Sequence, residues 1–181
     1  FAARFLKKLG VNETYAIAGH SNGGALAIRG LATGVLKAQK LVLLASAGIR
    51  NRNSLKRLIY MLAAKMGKLF TFWMPAKAKQ KFRKALYGVA GSDMLVAPHL
   101  QETFKATVRQ DVSGDAAKLV LPTLLIFGEK DRAVPLSDGH KFHSLIPNSK
   151  LVVLPGSDHF VHHFAATEVA KYIKEFLDAA N

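Results

Sequence analysis

Short apolar runs alternate with amphipathic stretches along the 181-residue chain. The apolar runs predict buried strands at 14–18, 41–45, 123–127 and 150–154. Helical periodicity predicts helices at 2–9, 22–32 and 166–179. Continuous apolar runs fit parallel strands that helices cover on both faces. The alternation therefore indicates an α/β fold around a parallel sheet.

The interval between the second and third predicted strands is too long for a single crossover. Residues 51–115 have helical periodicity and contain no convincing strand, so we interpret them as an inserted helical lid. The remaining segments, 1–50 and 116–181, would then form the core. The lid has a stripe of Met and aromatic side chains that includes Trp73. Such a stripe is typical of core packing and also suits an apolar substrate pocket.

Charge is distributed unevenly along the chain. Lysine and arginine number 26 against 12 acidic residues, and residues 50–84 carry eleven basic and no acidic side chains. A block of one sign can attract nucleic acid, anionic lipid or an acidic substrate, and it is also typical of a solvated helical face. The sequence has no nucleic-acid-binding signature. We therefore predict no nucleic-acid partner, and a peripheral contact with anionic membrane that salt weakens.

A G-x-S-x-G motif, Gly19-His20-Ser21-Asn22-Gly23, lies between a predicted strand and a predicted helix, the context that a nucleophile elbow requires. A serine in this strained turn exposes its hydroxyl, and small residues two before and two after it let strand and helix approach. The helix N-terminus favours developing negative charge. The motif thus predicts Ser21 as nucleophile and the Asn22 N–H as an oxyanion donor, the alternative being a glycine-rich turn without chemistry.

A serine nucleophile needs a base, and the base needs an orienting carboxylate. Asp131 follows the third predicted strand after a glycine turn, and His159 follows the fourth. Loops at the carboxyl ends of parallel strands meet at one edge of the sheet. The chain order Ser, Asp, His is the one expected with this elbow, so we predict a Ser21, Asp131 and His159 triad.

Rival residues lie close to both partners. Glu129 and Asp138 are alternative acids, and Asp158 is predicted to be solvated. The alternative bases are His20, His140, His143, His162 and His163, of which the last two suit helix-start or surface roles. Metal sites built from His159, His162 and His163, or from His140 and His143, are conceivable but lack a convincing carboxylate partner, so we predict no metal.

The elbow, the turn at 128–131 and the turn at 156–160 together resemble the lid-bearing α/β-hydrolase family of esterases, lipases, carbon–carbon bond hydrolases and perhydrolases. The resemblance implies a partial α/β-hydrolase fold, with C-terminal parallel strands, flanking helices and an inserted lid. Members usually have several strands before the elbow and an early loop that donates a second oxyanion N–H. Here one helix and one strand precede Ser21, so we expect an N-terminally truncated chain that is inactive or poorly folded alone.

The resemblance implies hydrolysis of a carboxylic ester or related acyl bond through an acyl-enzyme, without a cofactor. The alternatives are a carbon–carbon bond hydrolase and a non-catalytic small-ligand receptor on the same fold. We expect a small ester-like substrate with an apolar portion, contacted by His20, Trp73 and Phe160. The chain has no cysteine and no apolar run of about 18 residues. We predict a cytoplasmic location.

Overall fold

The computed structural model describes residues 1–50, 75 and 109–179. The chain divides into two compact units, one formed by residues 1–49 with 110–181 and the other by residues 50–109. The helical lid predicted for 51–115 falls mostly outside the described residues, as does Trp73. The membrane contact expected from the basic segment 50–84 therefore stays a prediction.

A four-stranded parallel sheet forms the centre of the first unit, with its strands in chain order. The strands are β1 Thr14–His20, β2 Ala38–Leu44, β3 Thr123–Gly128 and β4 Ser149–Leu154. The helices are α1 Ala2–Lys8, α2 Asn22–Ala32, α3 Ser113–Ala116, α4 Leu136–Leu145, α5 Val161–Phe164 and α6 Ala166–Asp178. The prediction of an α/β fold with a parallel sheet is confirmed.

Alternate side chains of the two central strands enter two different apolar cores, because successive side chains of a strand point to opposite faces. Leu43 and Phe127 belong to the core on the face covered by α2, α3 and α4. Val42 and Ile126 belong to the core that contains residues of α5 and α6. The continuous apolar runs of the sequence reflect this double burial. In the ranges described, no helix is long and apolar enough to cross a membrane.

Lys40 connects the sheet to the end of the closing helix. The side chain lies on β2 and is only 3% exposed. Its ammonium group donates to the carbonyl oxygens of Phe176 at 3.2 Å, Leu177 at 3.0 Å and Ala179 at 2.7 Å. The last carbonyls of a helix lack intrahelical donors and carry partial negative charge. Lys40 therefore satisfies the C-terminal end of α6 and holds α6 against the sheet.

We expect Lys40→Met to lower the free energy of unfolding by about 1–3 kcal/mol, because it removes the ammonium donor from part-buried carbonyl oxygens at the end of α6 while keeping the apolar stem. Urea denaturation followed by circular dichroism measures the change. Lys141→Met, at an exposed position of α4, is the matched control and should leave the midpoint unchanged. Equal midpoints for both variants would show that the Lys40 contacts do not stabilise the fold.

Candidate active site

Ser21 occupies a strained backbone position between β1 and α2. Its φ of 52° and ψ of −121° are unusual for a residue with a side chain. Two backbone hydrogen bonds connect the turn to the end of β2 and the loop after it: the Ser21 N–H donates to Leu44 O, and the Ala47 N–H donates to Ser21 O, both at 3.0 Å. The turn lies at the carboxyl end of β1, directly before the start of α2.

Two glycines let α2 pack closely against β1 and against the loop after β2. A Cβ on Gly19 would lie 2.7 Å from Gly24 Cα, and a Cβ on Gly24 would lie 2.2 Å from Ser46 Oγ. At Gly23, by contrast, a Cβ would meet no described atom within 4 Å. The expectation that the residue two after the serine must be small is therefore wrong for the described part of the chain. The close contact falls one residue later, at Gly24, which faces Ser46 in the loop after β2.

The structure brings Ser21, His159 and Asp131 into one hydrogen-bonded array. His159 Nε2 lies 3.0 Å from Ser21 Oγ, and His159 Nδ1 lies 2.7 Å from Asp131 Oδ2. The Asp131 side chain is fully buried and that of His159 is 16% exposed. A carboxylate at Nδ1 selects the imidazole tautomer with its proton there, which leaves the Nε2 lone pair facing the hydroxyl. This arrangement can take a proton from Ser21.

Backbone amides fix the orientation of the Asp131 carboxylate. Its second oxygen, Oδ1, accepts hydrogen bonds from the N–H groups of Ala133 and Val134, both at 2.8 Å. One carboxylate oxygen is thus hydrogen-bonded to the backbone of the turn and the other to His159. The carboxylate cannot rotate without breaking these bonds, so it holds the imidazole ring in a single orientation.

The rival acids make other contacts. The exposed Glu129 accepts a hydrogen bond from the Gly156 N–H at 2.8 Å. Asp158 accepts one from the Phe160 N–H at 2.8 Å, within its own turn. Asp138 lies in the first turn of α4, where burial raises its pKa to about 6; a hydrogen bond from Ser137 opposes this shift, and the charge of Asp131 adds to it. His159 has its carboxylate hydrogen bond with Asp131.

The turns that carry the acid and the base pack directly against each other. A Cβ on Gly128 would lie 2.3 Å from Asp158 O, so only glycine fits there without displacing the backbone. The Lys130 N–H also donates to Ser157 O at 2.9 Å. Sequence reasoning identified the glycine as a turn residue and missed this interlocking, which joins positions distant along the chain.

Aromatic and imidazole rings surround His159. The ring centroid of His20 lies 4.8 Å from that of His159 and 4.7 Å from that of His162, and His162 lies 4.6 Å from His163. Burial lowers the pKa of His162, and the charges of His20, His163 and His159 lower it further. His162 Nδ1 is buried and has no hydrogen-bond partner within the described part of the chain. His162 is half-buried and lies at the start of the short helix α5, in agreement with the predicted helix-start role.

Of the other predicted site residues, the structure describes His20, Asn22 and Phe160. Asn22 is the first residue of α2, where a backbone N–H has no acceptor within the helix. His20 and Phe160 both adjoin the array, with Phe160 5.4 Å from His159 between ring centroids. Trp73 lies outside the described residues. Within those residues, no group of three or more His, Asp or Glu side chains is placed to hold a metal ion.

A parallel sheet with helices on both faces, a serine elbow and a Ser-His-Asp array at its carboxyl edge define the class of α/β hydrolases. The model of the alpha/beta hydrolase family matches residues 1–172. The chain belongs to this family, which confirms the predicted resemblance to the α/β hydrolases; the inserted lid and the N-terminal truncation stay predictions.

Individual relatives agree with this membership. "Uncharacterized hydrolase YugF" of Bacillus subtilis is 26% identical over 178 residues, covering 89% of this chain and 64% of the relative. The chain thus spans less than two thirds of the length of that relative. A bromoperoxidase from Bacillus anthracis superposes with a TM-score of 0.67 at 22% identity, over 98% of this chain and 72% of the other. The esterase EaEST from Exiguobacterium antarcticum superposes with a TM-score of 0.66 at 19% identity, over 97% of this chain and 70% of the other.

Proposed function

We propose that the protein is a serine hydrolase that cleaves a carboxylic ester or related acyl bond through an acyl-enzyme. The observation that carries this proposal is the Ser21–His159–Asp131 array, in which a buried carboxylate orients an imidazole 3.0 Å from the serine oxygen. Membership of the alpha/beta hydrolase family supports hydrolytic chemistry. The esterase among the solved relatives shares the fold at 19% identity.

In the acylation step, Ser21 Oγ attacks the carbonyl carbon while its proton passes to His159 Nε2. The tetrahedral oxyanion accepts a hydrogen bond from the Asn22 N–H, and Asp131 stabilises the imidazolium. The carbon–oxygen bond of the ester then breaks, and His159 gives its proton to the departing alcohol. An acyl group remains on Ser21 Oγ.

In the deacylation step, His159 Nε2 takes a proton from a water molecule, which attacks the acyl carbon. The second tetrahedral intermediate collapses, His159 returns the proton to Ser21 Oγ, and the carboxylic acid leaves. The cycle consumes one water molecule per ester and needs no redox partner. It therefore fits the set of side chains found at the site.

The ring of Phe160 is the described side chain best suited to an apolar part of the substrate. It is 54% exposed, yet it packs against His159 with ring centroids 5.4 Å apart. An exposed aromatic ring beside the base can bury an acyl or alkyl group when a substrate binds. This contact supports an ester with an apolar portion rather than a charged one.

The proposal is tested by measuring turnover of p-nitrophenyl acetate, butyrate and octanoate by the purified full-length protein. We expect saturable hydrolysis, with a lower KM for the longer acyl groups because they bury more apolar surface. Phe160→Ala should weaken this dependence on acyl length. Binding of such esters without turnover would instead indicate a small-ligand receptor and would contradict the proposed chemistry.

A further inference from the structure

His20, the residue immediately before Ser21, is hydrogen-bonded to the backbone of His159. Its Nε2 lies 3.0 Å from the carbonyl oxygen of His159. A carbonyl oxygen can only accept, so His20 Nε2 must carry a proton and donate it. The contact joins the end of β1 to the loop that carries the base, across 139 positions of the chain.

Two further hydrogen bonds connect the base loop, residues 155–160, to the turn that carries the acid. The Gly156 N–H donates to Glu129 Oε2 at 2.8 Å, and the Lys130 N–H donates to Ser157 O at 2.9 Å. These bonds fix His159 relative to Asp131. Within the described ranges, only the bond from His20 and the reacting Ser21–His159 bond connect the base loop to the elbow.

We propose that His20 is a positioning residue, which keeps the His159 imidazole in reach of Ser21 Oγ throughout the catalytic cycle. The Ser21–His159 hydrogen bond is lost when Oγ bonds to the acyl carbon. The bond from His20 persists, because neither His20 Nε2 nor His159 O takes part in the reaction. His159 Nε2 therefore stays in place to protonate the alcohol and later to activate water. This inference rests on the proposed function and gives His20 a role in addition to the substrate contact that the sequence predicts.

Neighbouring rings hold the His20 imidazole in the donating orientation. Its centroid lies 4.8 Å from His159, 4.7 Å from His162 and 5.8 Å from Phe160. Rings at these separations restrict rotation of the imidazole about its Cβ–Cγ bond. The lowered pKa of His162 also favours the neutral form of that side chain. A neutral His162 does not oppose the positive charge that His159 acquires.

The test compares His20→Gln, whose amide N–H can reach the position of Nε2, with His20→Asn, whose amide is too short. We expect His20→Asn to lower kcat about 10- to 100-fold, since a small displacement of a catalytic group has effects of this size. The loss should be equal for the acetate, butyrate and octanoate esters and leave KM unchanged. His20→Gln should recover most of kcat. His140→Asn, at an exposed histidine of α4, is the control and should keep wild-type kcat.

Two further readouts separate this proposal from the proposed function. Fluorophosphonate labelling of Ser21 should slow by the same factor in His20→Asn, even if no tested ester is a substrate. The low-field proton NMR signal of the His159 Nδ1–H, which needs no substrate at all, should broaden in His20→Asn and remain sharp in His20→Gln. A higher KM at constant kcat, losses that differ between acyl groups, or an unchanged NMR signal in His20→Asn would overturn the positioning role.

Discussion

Replacement of Ser21 with alanine is expected to abolish covalent labelling by a fluorophosphonate and to lower kcat for p-nitrophenyl esters by roughly 10⁶-fold. The reason is geometric: Ser21 Oγ lies 3.0 Å from the Nε2 of a histidine that a buried aspartate orients. Removing the hydroxyl removes the atom that would form the acyl bond. Intact-protein mass spectrometry measures the labelling directly.

Ser144→Ala is the matched control for this experiment. The Ser144 hydroxyl lies in α4 and donates to Lys141 O at 2.8 Å, away from the array. This variant should be labelled at the wild-type rate and keep its esterase activity. Labelling or turnover that survives in Ser21→Ala would show that the nucleophile is another residue and would reject the proposed mechanism.

Asp131→Asn is expected to lower kcat by about 10⁴-fold while leaving the fold intact, because loss of the correct histidine tautomer has an effect of this size in serine hydrolases that use a Ser-His-Asp triad. The amide oxygen should take the place of Oδ1, because the Ala133 and Val134 N–H groups need an acceptor there. The NH₂ group would then face His159 Nδ1 and move the ring proton to Nε2. In that tautomer His159 cannot accept the proton of Ser21.

Asp138→Asn is the matched control for the acid. Asp138 is a half-buried carboxyl group in α4, and burial raises its pKa to about 6. It thus has a perturbed pKa but no hydrogen bond to His159, which pairs with Asp131. Replacement of Asp138 should change kcat by less than kcat varies between preparations of the wild-type protein. Steady-state kinetics of the two variants at neutral pH decide the matter. A large loss in Asp138→Asn, together with activity in Asp131→Asn, would transfer the role of the acid to Asp138.

Much of the architecture could be predicted from the chain alone, because neighbours in the sequence determine it. Doubly covered strands need continuous apolar runs, and these runs located all the strands of the described sheet to within a few residues. The elbow is partly local: the G-x-S-x-G motif between a predicted strand and a predicted helix identified the strained position of Ser21, although the close contacts that require glycine lie at Gly19 and Gly24. The order of the motifs along the chain then limited the candidate acid and base for Ser21 to a few carboxylates and histidines.

Only the tertiary structure decided which members of that set meet. Glu129, Asp131 and Asp138 are close in the sequence, and it is the packing of the acid turn on the base turn that brings Asp131 to His159. The bond from His20 to His159 and the contacts of Lys40 with the end of α6 span well over a hundred positions. Periodicity reports which face a residue occupies, whereas contacts of this kind depend on where distant loops and helix ends lie in space.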